Sequence, residues 1–231
     1  MNATLPTDTM VWLAEAATLL IVVAYELIQR WRYQGKPEQF ARSAHADLRE
    51  AWMLASSEHP GAEIVAVQTL RNAMMSATLT ATTATLGLMG AITLTATQLH
   101  ATFVPNDVQW PTISPRLVME LLLMSTLFAA LVCSTMAVRY FSHASFISAM
   151  PVGSAARRQW LPVGVAHVRQ AGVLYSFGLR ALLMVAPVVV SIVHPLIGPM
   201  ASVGLVIVLW QMDRVALGAA CPTALAKSLY Q

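Results

Sequence analysis

Charged residues are scarce in this chain. Its 231 residues include 14 Lys or Arg and 11 Asp or Glu, so that 11% are charged, which is less than half of the roughly 25% typical of soluble domains. Hydrophobic residues make up 57%. This balance excludes an ordinary soluble domain. The formal net charge of +3 does not indicate a nucleic-acid partner, because basic residues of membrane proteins collect in cytoplasmic loops.

Cysteines and enzyme motifs are also few or absent. The two cysteines, Cys133 and Cys221, have no spacing that indicates a disulfide framework or a zinc site, and the six histidines are scattered. The sequence contains no Walker loop, dinucleotide fingerprint, nucleophile elbow or His-Glu-x-x-His helix. We therefore expect no enzyme, no metal site and no cofactor.

Long apolar runs predict an all-α, polytopic bundle of transmembrane helices. A helix needs about 20 apolar residues to cross roughly 30 Å of hydrocarbon. Five runs qualify, at residues 10–28, 74–99, 117–138, 173–193 and 198–212, and the last two are separated by the break HPLIGP at 194–199. We expect residues 1–231 to form one membrane domain with about five spans. Four spans and a re-entrant final hairpin remain the alternative.

The distribution of basic residues predicts the orientation. The first connection between spans holds six Lys or Arg, the second one, the third four and the fourth none. Since positive charge marks cytoplasmic loops, the amino terminus is expected outside and the carboxyl terminus in the cytoplasm of a bacterial inner membrane.

Two segments on the expected cytoplasmic side carry local signals. Residues 37–58 place Phe40, Ala44, Leu48 and Trp52 on one face, which predicts an amphipathic helix. Ala62 is expected to begin a long helix that continues into the second span. Residues 151–164, with two Pro and two Gly, are expected to form a loop.

The second span is rich in threonine. One face carries a stripe of hydroxyls, which consists of Thr78, Thr82, Thr85 and Thr93. Such a stripe fits helix packing, because small residues and hydroxyls permit close contacts between helices in lipid. It also fits the lining of a pore, and the sequence leaves both open.

A charged residue inside a span must be paired with an opposite charge, be in contact with water or lie close to an end of the span, because an isolated charge in hydrocarbon is costly. Glu15, Glu120 and Arg180 are of this kind. In the expected topology Glu120 and Arg180 differ too much in depth to pair. Glu26 is the better partner for Arg180 or for Arg71.

The cytoplasmic ends of the spans collect polar residues. The set consists of Gln68, Arg71, Asn72, Arg139, Tyr140, His143 and Arg180. Three converging guanidinium groups would hold an anionic lipid headgroup or a phosphate. The same arginines also fit simple positive-inside anchors.

Three strings give the chain a family resemblance. They are VQTLRN at 67–72, RYFSHASF at 139–146 and YSFGLR at 175–180, the last followed by Pro187. The strings resemble domain of unknown function 599, a membrane protein family of bacteria and plants, over about residues 10–214. Ser142 and Ala144 depart from the pattern expected in the second string. The resemblance implies fold and location, and it brings no activity, substrate or cofactor.

We therefore expect a self-associating helical bundle with a lipid- or anion-binding cytoplasmic cavity, and passage of ions or small solutes is the sharper form of this hypothesis. The expected partners are membrane lipids and further copies of the chain or other membrane subunits. An accessory subunit of a larger complex is the alternative. An intramembrane enzyme that acts on lipid with His143 as its base is a third reading.

Overall fold

The expected all-α architecture is confirmed. The computed structural model describes residues 7–35, 41–103 and 114–214, and these residues form helices and short connections without a strand. The helices are α1 Thr7–Gly35, α2 Ala41–Glu58, α3 Ala62–Phe103, α4 Pro115–Ser148, α5 Ala155–Val193 and α6 Gly198–Arg214, with a 3₁₀ turn at Pro195–Ile197 between α5 and α6.

Five of these elements are long and apolar enough to cross a membrane: α1, α3, α4, α5, and α6 together with its preceding turn. The last covers Pro195–Asp213, and its 19 residues extend about 28 Å, close to the thickness of the hydrocarbon. The protein is thus a membrane-embedded helical bundle with five candidate spans. We call the end where α1, α4 and α6 terminate and where α2 lies the α2 end.

Helix α4 is the central helix of the bundle, since it packs extensively on both α3 and α5. Small side chains recur every seventh residue in its contact with α3. The buried residues are Ala77, Ala84 and Ala91 on α3, where the larger Leu70 continues the same spacing, and Ala130, Ala137 and Ala144 on α4. A seven-residue repeat keeps one face of each helix against the other, and alanine lets the two backbones approach closely.

A glycine permits the equally close contact between α4 and α5. A Cβ atom at Gly178 would lie 2.6 Å from Ser134 Oγ and 3.3 Å from the Ala130 carbonyl oxygen. Near the opposite end, a Cβ at Gly198 would lie 2.5 Å from Ser191 Oγ and 2.7 Å from Thr18 Oγ1. This second glycine brings the turn between α5 and α6 against α1.

The prediction of a loop at residues 151–164 is wrong beyond Ser154. Helix α5 begins at Ala155, because the Ser154 hydroxyl accepts a hydrogen bond from the Arg157 N–H at 3.2 Å and caps the helix. Pro162 lies inside the helix and leaves the Arg158 carbonyl without its usual donor. Since Arg158 and Pro162 are exposed, water can satisfy this carbonyl, and the helix continues.

The amphipathic helix is present as α2, which begins at Ala41, while residues 36–40 lie outside the described residues. Of the apolar face, Trp52 packs against the core, whereas Leu48 is 65% exposed. The buried residues of α2 are Ala46 and Met53. Two buried glycines of α5 determine the docking face. Met53 contacts Gly164, and the Arg49 guanidinium lies over Gly172, where any Cβ would overlap it.

Charge also holds α2 against α5. Arg169 of α5 donates to Glu50 at 3.0 Å and lies 3.7 Å from Asp47. Burial lowers the pKa of the Arg49 guanidinium below its ordinary value, although arginine remains charged at neutral pH. Met53 joins an apolar core at the α2 end that includes Leu70, Phe141 and Val168.

A buried arginine ties the helix ends together at the α2 end. Arg157 is 2% exposed and donates to the carbonyl oxygens of Ser148 at 3.2 Å, Met150 at 2.6 Å and Ser56 at 3.2 Å. The first two acceptors lie at the end of α4 and just beyond it, and the third lies in α2. Arg157, which the sequence placed in a predicted loop, therefore acts as a structural clamp between α2, α4 and α5.

We expect Arg157→Met to lower the free energy of unfolding by about 3 kcal/mol, because three carbonyl oxygens lose a charged donor. The measurement is thermal unfolding of the detergent-solubilised protein, followed by tryptophan fluorescence. Arg158→Met is the matched control, since Arg158 is the exposed neighbour. Equal melting temperatures for the two variants would contradict the clamp.

Candidate functional site

Three helices contribute to a cluster of polar side chains near the α2 end. Tyr25, Glu26 and Gln29 come from α1, Arg180 from α5 and Asp213 from α6. We call these five residues the charged centre. On α1 the spacing of one and three residues keeps the three side chains within about one helical turn. Asp213 lies near the end of α6, and this places it at the same end of the bundle.

Asp213 is the most fully satisfied member of the charged centre. Arg180 Nη2 donates to Asp213 Oδ1, while the Tyr25 hydroxyl at 3.0 Å and Gln29 Nε2 at 2.9 Å donate to Oδ2. Gln29 Nε2 also donates to the Tyr25 oxygen at 2.9 Å. These bonds connect the end of α6 to both α1 and α5.

Glu26 is held much more loosely. Its Oε1 atom lies 3.6 Å from Arg180 Nη1, beyond hydrogen-bond distance, and neither of these buried atoms has a hydrogen-bond partner among the described residues. From its depth, Glu26 was expected to pair with Arg180 or with Arg71, and it lies beside Arg180. The charged centre thus combines two carboxylates with one guanidinium. Two buried acceptors, Glu26 Oε1 and Gln29 Oε1, and one buried donor, Arg180 Nη1, have no hydrogen-bond partner among the described residues.

The charged centre borders two spaces. The first is a cavity of about 120 Å³ between α2, α5 and α6, and its lining includes His45, Ser176, Arg180 and Asp213. The second, which we call the α1 groove, has about 290 Å³ and lies between α1, α4 and α5. Its lining consists of Thr18, Leu19, Val22, Val23, Glu26, Leu27, Leu122, Thr126, Met184 and Val188. Glu26 is the one ionisable residue in that lining.

The other arginines expected at this site lie elsewhere. Arg71, Gln68 and Asn72 are exposed on α3, and Arg139 is exposed on α4. Helix α3 packs chiefly on α4, whereas the charged centre is built from α1, α5 and α6. Of the three arginines, only Arg180 belongs to the charged centre.

Tyr140 and His143 form a separate group with a histidine of α5. The His167 ring centroid lies 5.3 Å from that of Tyr140 and 5.8 Å from that of His143. From the sequence alone, His45, His59 and His167 were equally possible neighbours of His143. Within the described ranges, no three His, Cys, Asp or Glu side chains are arranged to hold a metal ion.

Most of the threonine stripe faces away from the other described helices. Thr78, Thr82 and Thr93 are exposed and Thr85 is half-buried. Each hydroxyl donates to the carbonyl oxygen four residues earlier, at 2.9 to 3.0 Å. The hydroxyls are therefore satisfied within α3 and need no neighbour. Within the chain, the alanine repeat and not the threonine stripe forms the contact with α4.

The other two acidic residues predicted inside the spans, Glu15 and Glu120, lie away from the charged centre. Glu120 is buried and accepts from Arg116 Nε at 3.0 Å, one turn earlier on α4. This pair lies near the start of α4, as the depth argument required when it separated Glu120 from Arg180. Glu15 is buried on α1, and its Oε2 atom has no partner among the described residues.

Sequence reasoning missed Tyr25, Gln29 and Asp213. A signal was present, since Tyr25, Glu26 and Gln29 end the first span and Asp213 ends the last one at the same side of the membrane. What was lacking was the adjacency of α1 and α6, which are separated by more than 160 residues of chain.

We expect Arg180→Met to lower the free energy of unfolding by about 3 kcal/mol, because Glu26 and Asp213 would lose their buried counter-charge. Adding Asp213→Asn to this variant should recover part of the loss. Melting temperature in detergent measures both effects. Arg139→Met is the control, as an exposed arginine on the neighbouring helix, and a loss as large in the control would contradict the assignment.

Comparison with known proteins agrees with the resemblance in the three strings. Residues 13–216 match the family model described as "Protein of unknown function, DUF599". No curated protein and no solved structure matches the chain. Because the family match covers most of the chain, including the whole charged centre, the chain belongs to the DUF599 family.

Proposed function

We propose that the protein lies in the bacterial inner membrane with its amino terminus outside and its α2 end in the cytoplasm. The helix directions support this orientation, because they collect most arginines at the α2 end. These include Arg49, Arg71, Arg139, Arg157, Arg158 and Arg169, whereas Arg116 lies at the opposite end. Positive charge on one side is the usual mark of the cytoplasmic face.

The function that the geometry supports best is the binding of an amphiphilic ligand, a membrane lipid or a similar molecule, without catalysis. The observation that carries this proposal is the position of Glu26, a loosely paired carboxylate at one end of an otherwise apolar groove. Ligand sites commonly combine a mostly apolar lining with a few polar groups that orient the ligand.

The dimensions of the α1 groove suit an acyl chain. Its lining runs from Thr18 to Leu27 on α1, which is about 13 Å at 1.5 Å per residue. Half of a hydrocarbon layer of roughly 30 Å is about 15 Å, so the groove matches one leaflet. Val23 and Leu27 are 52% and 59% exposed, and this side of the groove therefore faces lipid.

Transport of the bound ligand is a more specific version of the same proposal. Arg180 and Asp213 line the cavity at the α2 end, and Glu26 lines the α1 groove. A ligand that passes the charged centre would move between the lipid and the cytoplasmic face. The binding step is common to both forms and is tested first.

We expect a photoreactive, clickable fatty acid, supplied to cells and incorporated into their lipids, to label the α1 groove after irradiation. Mass spectrometry of the purified protein should find the label on residues 18–27 and 122–126. Thr126→Trp should remove most of this label by filling the groove. Thr82→Trp, on the exposed face of α3, should leave it in place, and uniform labelling of all lipid-facing helices would contradict the proposal.

A second candidate function is that of a subunit in a larger assembly. Large apolar side chains are exposed at the α2 end, beyond the expected spans, including Ile64, Val65 and Phe146 at 64 to 74%. Apolar patches that face water usually mark contacts with partners. On the same helix as Ile64 and Val65, the exposed threonine stripe would let another helix approach closely within the membrane.

Replacing Thr78 and Thr82 together with Ile tests this candidate. Because both hydroxyls bond within α3, we expect the melting temperature of the monomer to stay within a few degrees. Native mass spectrometry should show the loss of a homo-oligomer or of co-purifying subunits. Ser125→Ile is the control, since Ser125 is exposed on α4 with the same type of bond. An unchanged assembly in both variants would exclude the α3 face.

A further inference from the structure

We propose that the α1 groove selects a phospholipid whose headgroup carries a primary ammonium, with the ammonium bound to the Glu26 carboxylate. This inference rests on the proposed function, namely that the groove holds an acyl chain. It adds the chemical class of the headgroup.

The charges of the charged centre leave Glu26 as the surplus group. Asp213 accepts hydrogen bonds from Arg180, Tyr25 and Gln29. Arg180 is thus committed to Asp213 through Nη2, and its Nη1 atom reaches Glu26 only at 3.6 Å. One positive charge serves two carboxylates, and the weaker contact falls on Glu26. A cationic headgroup would restore the charge balance with a charge-assisted hydrogen bond.

Glu26 is also accessible from the groove. Its side chain is 23% exposed and lines the α1 groove, although Oε1 is buried on the side of Arg180. Arg180 Nη1 is a donor without an acceptor beside this carboxylate. Arg180 does not line the groove, so a headgroup in the groove meets the exposed part of the Glu26 carboxylate, to which its ammonium would donate.

The two hydroxyls that line the groove do not compete for a headgroup. Thr18 Oγ1 donates to the Ala14 carbonyl at 3.0 Å, and Thr126 Oγ1 lies 3.0 and 2.9 Å from the carbonyls of Leu122 and Leu123. Since both hydroxyls are satisfied by their own helices, they leave the inner part of the groove apolar in character. Polar recognition is therefore concentrated at Glu26.

The polarity of the groove has the orientation of a lipid in the leaflet at the α2 end. Glu26 lies near that end of the first span, and the apolar lining continues along α1 as far as Thr18 towards the bilayer centre. A lipid in this leaflet has its headgroup and chains in the same order.

Other common headgroups fit less well. An anionic phosphatidylglycerol would bring its phosphate to a centre that already has one excess negative charge, and its glycerol cannot neutralise Glu26. A phosphatidylcholine carries a positive charge but has no N–H group, so it cannot donate a hydrogen bond to the carboxylate. The primary ammonium of a phosphatidylethanolamine supplies both the charge and the donor.

The test is native mass spectrometry of the full-length, delipidated protein titrated with phosphatidylethanolamine, its mono- and dimethylated forms, phosphatidylcholine and phosphatidylglycerol of identical chains. We expect phosphatidylethanolamine to bind roughly tenfold more tightly than phosphatidylcholine, with a decrease at each methylation. Glu26→Gln should abolish this preference. Glu58→Gln, which removes an exposed carboxylate outside the groove, should retain it.

The methylation series uses the unmodified chain, so its result does not depend on the folding of a variant. Equal affinity across the series, or a preference for phosphatidylglycerol, would overturn the inference. If the fatty-acid label is still found in the groove in that case, the proposed function stands and only the headgroup assignment falls. If the label is also absent, both fall.

Discussion

One mostly buried guanidinium, that of Arg180, joins the first and last of the described helices, because it needs carboxylates to compensate its charge. Arg180 is 13% exposed in its side chain and lies within a candidate span, where an unpaired charge would be costly. The chain supplies two carboxylates from helices far apart in sequence, Glu26 on α1 and Asp213 on α6. Tyr25 and Gln29 complete the bonds to Asp213. Helices α1 and α6 are therefore held at the α2 end by polar contacts, whereas α3, α4 and α5 pack closely through small side chains.

This difference divides the bundle into two parts with different kinds of packing. Helices α3, α4 and α5 form a tightly packed block through the alanine repeat and Gly178, and α2 docks on the block through Met53 and Arg157. Helix α1 packs mainly on α6 and has few contacts with α4 and α5. The α1 groove lies along this sparse contact, and Glu26 lies at its end. A ligand site at the boundary between two packed units can be filled without disrupting the interior of either unit, because few contacts cross it.

In this membrane protein, features of one continuous segment were predictable from the sequence, whereas the faces through which helices contact one another were not. Hydropathy predicted the five candidate spans, because each span must by itself satisfy the length of the hydrocarbon. Depth in the membrane made Glu26 a candidate partner for Arg180 or Arg71, and it separated Arg180 from Glu120. Depth can be predicted because the position of a residue along a span follows from the sequence. Helix faces were less readable. The threonine stripe was a candidate for helix packing, yet the alanine repeat forms the contact between α3 and α4. The threonine hydroxyls need no such contact because they bond to carbonyl oxygens of their own helix. The rotation of α2 depended on two glycines of α5, more than 100 residues away.

The sequence by itself determined the helical class, the number of candidate spans, the family and the long helix that begins at Ala62, because these follow from the length and hydropathy of continuous segments and from local strings. Only the tertiary structure decided that α6 returns to α1, that Asp213 takes the stronger bonds of Arg180, and that Glu26 is left at the end of an apolar groove. The physical reason is that pairing among buried charges depends on distances of a few ångströms between separate helices. No periodicity within a single segment encodes those distances.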